Sequence, residues 1–120
     1  MKKFLLILMM VTFMVGCSSK NSDDTAINYL DAKEKMINEG AILIDVRTEE
    51  EYNEKHIDGA ELLPLDTIDE NSILDIVDSK EDIIIVYCQS GNRSGQALEK
   101  LKDLGYEKVY DLGAMSNWKE

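Results

Sequence analysis

Cys88 closes the apolar run Ile83-Ile-Ile-Val-Tyr87 and is followed by Gln89-Ser-Gly-Asn-Arg-Ser94. A loop freed by Gly91, and small or polar at Gln89, Ser90 and Asn92, curls so that several backbone N–H groups converge on one point. Arg93 adds a full positive charge, and the helix predicted after the loop adds the positive end of its dipole. Each of these favours thiolate over thiol, so Cys88 is expected to titrate below the free value of about 8.5. The chemistry is that of an activated sulfur nucleophile. Most lone cysteines are small core hydrophobes, but a core position needs no glycine-bearing, arginine-terminated loop after it.

Other chemistry-bearing residues take quieter roles. Asp45 and Arg47 follow the apolar run Ala41-Ile-Leu-Ile44 and are expected to brace the loop region by hydrogen bonds or an ion pair. His56 reads as a structural histidine at a helix end, and Trp118 as a packing anchor near the chain end. Acidic residues number 24 against 13 basic, a formal charge of −11 that disfavours a nucleic-acid partner. These carboxylates show no ligand spacing. With two cysteines and one histidine, the chain offers neither a Cys/His zinc site nor a framework of several disulfides. No metal and no cofactor are expected.

The elements that must position Cys88 alternate between strand and helix. Ala26–Tyr29 is a short strand candidate, and Asp31 is expected to cap a helix through Glu39, ended by Gly40. Ala41–Ile44 and Ile83–Tyr87 are continuous apolar runs, as parallel strands buried on both faces require. Thr48-Glu-Glu-Glu51 has the capping-box pattern and opens a helix to about Lys55. Glu61–Pro64 reads as a strand, and Ile68, Ile73, Leu74 and Val77 predict a helix over 67–78. A helix from about Gly95 to Leu104, stopped by Gly105, precedes a last strand over Lys108–Leu112. The 120 residues therefore predict one α/β domain: an open, doubly wound parallel sheet with helices on both faces, expected as a monomer. Ligands belong at the carboxyl ends of its strands.

The first residues read as an address. Lys2 and Lys3 precede a 13-residue apolar run, Phe4–Gly16, shorter than the ~20 residues a spanning helix needs. Met14-Val-Gly-Cys17 resembles the lipobox of a bacterial lipoprotein signal, with Met14 where leucine is usual. Residues 1–16 are thus expected to be a signal peptide, Cys17 the lipidated residue, 17–25 a flexible tether and 26–120 the folded domain. The expected location is the bacterial cell membrane, lipid-anchored and facing outside the cytoplasm. Loss of Lys2 and Lys3 takes the charge from −11 to −13 and leaves Cys88 as the one free thiol.

From about Ile27 to Trp118 the chain resembles the rhodanese family. The stretches that carry the likeness are Leu43-Ile-Asp-Val-Arg47, Glu51-Tyr52, His56-Ile-Asp-Gly-Ala60, Pro64, Val86–Ser94, Leu104-Gly-Tyr106, Val109-Tyr110 and Gly113–Trp118. Lys55 replaces a glycine usual before the histidine, and Ala114 replaces the second glycine of the closing Gly-Gly-x-x-x-Trp. The resemblance implies a sulfurtransferase whose Cys88 takes a sulfane sulfur from a donor such as thiosulfate, holds it as a persulfide and passes it to a thiophilic acceptor such as cyanide or a thiol. It further implies that Arg93 supports the loop and its positive field, and that Ser94 caps the helix behind it. Cysteine phosphatases and arsenate reductases on the same fold are an alternative, but they place five residues between cysteine and arginine. Here Gln89, Ser90, Gly91 and Asn92 make four. A non-catalytic binding module is the other alternative; such modules often lack the loop cysteine.

Overall fold

The computed structural model describes residues 25–119. The expected signal peptide, and all of the expected tether but its last residue, lie outside the described residues, Cys17 among them. Four parallel strands form one sheet: β1 (Ile42–Asp45), β2 (Glu61–Leu62), β3 (Ile84–Cys88) and β4 (Val109–Ala114), in the order β2-β1-β3-β4. Helix α1 (Tyr29–Asn38) precedes β1, α2 (Glu49–Glu54) joins β1 to β2, and α3 (Asn92–Asp103) joins β3 to β4. β1 and β3 occupy the centre, which is why their runs are apolar throughout.

The pleat of these two strands sorts the core into two layers. Ile44, Ile84, Val86 and Cys88 face Ala97, Leu98 and Leu101 of α3, together with Ile68, Ile73 and Val77. Leu43, Ile85 and Tyr87 face Ala32 of α1, Ile57 and Ala60, with Met36, Tyr52 and Trp118 packed at the margin. Helices therefore cover both faces, as expected of a doubly wound sheet. No helix among the described residues is long and apolar enough to cross a membrane.

Four expectations are corrected. Ala26–Tyr29 is no strand: Ala26 makes one isolated bridge to Asp111, and Tyr29 already opens α1. Asn28, not Asp31, is the cap, its Oδ1 accepting from Asp31 N–H at 2.8 Å. The helix over 67–78 is replaced by two short 3₁₀ turns, Leu65–Thr67 and Ile73–Asp75. Local side-chain bonds win there: Asp69 Oδ1 accepts from the N–H of Asn71 (2.9 Å) and Ser72 (2.8 Å), and the Ser72 hydroxyl donates to Thr67 O. The apolar spacing reported burial in part: Ile68, Ile73 and Val77 are in the core, but Leu74 is 56% exposed. The strand over Glu61–Pro64 shrinks to the two residues of β2 at the sheet edge.

Candidate active site

β1 and β3 run in register, Asp45 opposite Tyr87, so both end at the same edge of the sheet. Alternation along β3 sends Cys88 toward α3 and Tyr87 to the other layer. At Gly91 the chain turns with φ +101° and becomes the N-cap of α3. A Cβ added there would meet nothing closer than 3.8 Å, so glycine is needed for conformation and not for space. α3 begins at Asn92, three residues earlier than expected, so the first turn of the helix forms half of the loop.

Cys88 has no exposed surface, and its Sγ accepts the Gly91 N–H at 2.9 Å. Burial pushes the thiol up, but the backbone N–H groups of Ser94, Gly91 and Ser90 outweigh it, holding the group below the ordinary thiol value. That is the direction expected from the loop's composition. Ser94 serves differently from its expected cap role: it lies within the first turn, buried, with its hydroxyl donating to Gly91 O at 3.1 Å. Asn92 Oδ1 accepts from Gln96 Nε2, and the Gln89, Ser90 and Asn92 side chains are exposed.

Arg93 is tied to an unforeseen partner. Its guanidinium donates to Glu51 Oε1 at 2.8 Å and Oε2 at 3.1 Å. The same Oε1 accepts from Thr48 N–H and Oγ1, so the expected capping box of α2 also holds the loop arginine. Arg93, then the Thr48 N–H, draw Glu51 down to about 2. Asp45 and Arg47 form the expected brace, and it is buried. Arg47 Nε and Nη2 donate to the Asp45 carboxylate (Nη2 to Oδ2 at 2.7 Å), Nη2 also reaches Lys55 O, and Nη1 holds Gln89 Oε1 at 3.2 Å. The Tyr87 hydroxyl donates to Asp45 Oδ2 (2.7 Å) and accepts from Ile57 N–H, completing a network that sequence reading missed.

The departures from the rhodanese pattern fall on ordinary backbone. Lys55 has φ −172° and Ala114 φ −75°, conformations any residue adopts. His56 Nδ1 donates to Tyr52 O at 2.7 Å while its ring stacks on Tyr52 at 3.7 Å. Trp118 meets the Tyr29 ring edge-on at 4.8 Å, and its buried Nε1 has no hydrogen-bond partner among the described residues. Among those residues no group of three or more His, Cys, Asp or Glu side chains is placed to hold a metal ion. A cleft of about 480 Å³ lies beside the loop, between Lys55–Asp58 and Met115–Trp118, with Gln89 on its wall. A larger hollow of about 670 Å³ at Ala26–Leu30 includes no loop residue.

Residues 29–120 match the sequence profile of the rhodanese-like domain. Over 74 residues the chain is 40% identical to the thiosulfate sulfurtransferase PspE of Escherichia coli (strain K12), covering 62% of this chain and 70% of that protein. Over 94 residues it is 33% identical to the thiosulfate sulfurtransferase GlpE of Coxiella burnetii (strain RSA 331 / Henzerling II), covering 78% and 85%. The solved structure of a rhodanese with anions from E. coli aligns with a TM-score of 0.61 at 38% identity, over 64% of this chain and 89% of that one. Since the profile takes in the whole sheet, the Cys88 loop and the closing turn, the chain belongs to the rhodanese-like domain family.

Proposed function

We propose that this chain is a single-domain sulfurtransferase in which Cys88 carries sulfane sulfur from thiosulfate, or a similar donor, to a thiophilic acceptor. The observation that carries the reading is the Cys88 sulfur set beneath convergent donors, with Gly91 N–H at 2.9 Å. Sulfurtransferase relatives support the reaction class. The Cys88 thiolate attacks the outer sulfur of thiosulfate, an S–S bond forms on Cys88, and the donor's S–S bond breaks to release sulfite. The acceptor then attacks the outer sulfur of the persulfide and Cys88 departs as thiolate. Loop N–H groups stabilise the anion at both stages, so one transfer becomes two easier steps. Phosphoryl chemistry is disfavoured because four residues, Gln89 to Asn92, separate Cys88 from Arg93 where the phosphatases of this fold place five, and Glu51 already takes two of the Arg93 N–H donors.

Mass spectrometry after thiosulfate treatment should show a gain of about 32 Da, one sulfur, lost on adding cyanide. Cys88→Ser should fold and turn over nothing, because a hydroxyl cannot form a persulfide. An unchanged wild-type mass, or an active serine variant, defeats the assignment. We further propose export and anchoring through lipid on Cys17, supported by Met14-Val-Gly-Cys17 after the apolar run. Cys17→Ala should leave a precursor without lipid; a wild-type protein that is cleaved but unlipidated overturns this part alone.

A further inference from the structure

Beside the Cys88 loop, the 480 Å³ cleft falls within the ~300–1,000 Å³ range typical of organic-ligand pockets and is far larger than a cyanide or thiosulfate ion requires. Its inner wall is apolar: Ile57 is buried, and Met115 and Trp118 are half-buried. On its rim stand two exposed opposite charges, Lys55 and Asp58. Among the described residues neither side chain makes an ion pair or hydrogen bond, with each other or with any neighbour. Gln89, joined covalently to Cys88 and held by Arg47 at 3.2 Å, forms the wall shared with the reactive loop. Lys55 stands on extended backbone of φ −172°, at the C-cap of α2, where the chain leaves the helix beside the cleft.

We propose that this cleft is the acceptor subsite and takes a small zwitterionic thiol, cysteine or a short cysteinyl peptide. Its carboxylate faces Lys55, its ammonium faces Asp58, and its methylene packs on Met115 and Trp118. The assignment rests on the Cys88 sulfurtransferase reading above. In the transfer, the acceptor thiol gives its proton to water and its thiolate bonds to the outer sulfur of the Cys88 persulfide. The Cys88 S–S bond breaks, its electron pair returns to Sγ under the Gly91 N–H, and the acceptor leaves as a persulfide.

The test uses the full chain with thiosulfate as donor and four acceptors: cysteine, 3-mercaptopropionate (no ammonium), cysteamine (no carboxylate) and cyanide. The wild type should show its lowest thiol KM for cysteine. Lys55→Glu should raise KM for cysteine and 3-mercaptopropionate about fivefold relative to cyanide, the scale of one exposed charge pair, without raising it for cysteamine. Asp58→Lys should do the converse. Ser116→Trp, an exposed position on the cleft, should weaken all three thiols relative to cyanide. If the charge variants shift the three thiols alike, or if thiols and cyanide change together in every variant, the subsite is overturned while sulfur transfer stands. Failure to form a Cys88 persulfide overturns both.

Discussion

Around Cys88 the decisive quantities are individual donors and individual charges. The thiol is held below its ordinary value by the N–H groups of Ser94, Gly91 and Ser90 against the cost of burial, while the Arg93 guanidinium is bonded to Glu51. The neighbouring Asp45–Arg47 pair is a harder case of the same balance: the two side chains are 0% and 3% exposed. A buried pair contributes little net stability, but breaking it strands a charge and costs about 3–5 kcal/mol. Asp45→Asn should therefore lower the unfolding free energy by roughly 3 kcal/mol or more, whereas the double change Asp45→Leu with Arg47→Met, which leaves no charge behind, should lose less. Urea unfolding of both variants checks the order. A double variant less stable than Asp45→Asn would mean that the pair is held by favourable contacts and not by mutual neutralisation.

Among the elements, the hinge between β3 and α3 decides where the donors sit. Gly91→Ala meets no clash, its nearest contact being 3.8 Å, but it forces an L side chain to φ +101°. Stability should fall by about 1–2 kcal/mol, and any relief by loop movement should take the Gly91 N–H away from Sγ and raise the thiol pKa. Denaturant unfolding and alkylation rate against pH read the two effects separately. This hinge was legible in the sequence because its causes are local: an apolar β-branched run, then a glycine, then a helical stretch. The capping box of α2 was legible for the same reason. The helix over 67–78 was misread because the spacing of Ile68, Ile73 and Val77 reports burial on one side, which two 3₁₀ turns satisfy equally well. The polar bonding of Asp69 and Ser72 chose between them. Glu51–Arg93 and Tyr87–Asp45 each join residues 42 apart, so they exist only once the strands have taken their register. No local pattern encodes them.

For the molecule as a whole, the charge of −11 opposes the local chemistry. A dianion such as thiosulfate approaches a surface that on balance repels it, and the convergent N–H groups at the end of β3 attract it only at short range. Screening weakens the long-range repulsion more than the short, buried contacts, because the Debye length is ~10 Å at 0.1 M salt. The kcat/KM for thiosulfate should therefore rise as an inert salt is increased from about 0.01 to 0.15 M, and an uncharged thiol acceptor should show no such rise. A fall for thiosulfate over that range would mean that a positive field, and not the backbone cradle, guides the donor.

Complete enclosure of the Cys88 side chain separates readiness from availability. The Gly91 N–H already lies 2.9 Å from a sulfur that has no exposed surface. A reactant has to press in among the neighbouring side chains to touch Sγ, so its shape enters the rate beside its reactivity. Bulky alkylating agents should therefore trail small ones of equal intrinsic reactivity, a gap that a free thiol in solution would not show, and large oxidants should be held off in the same way.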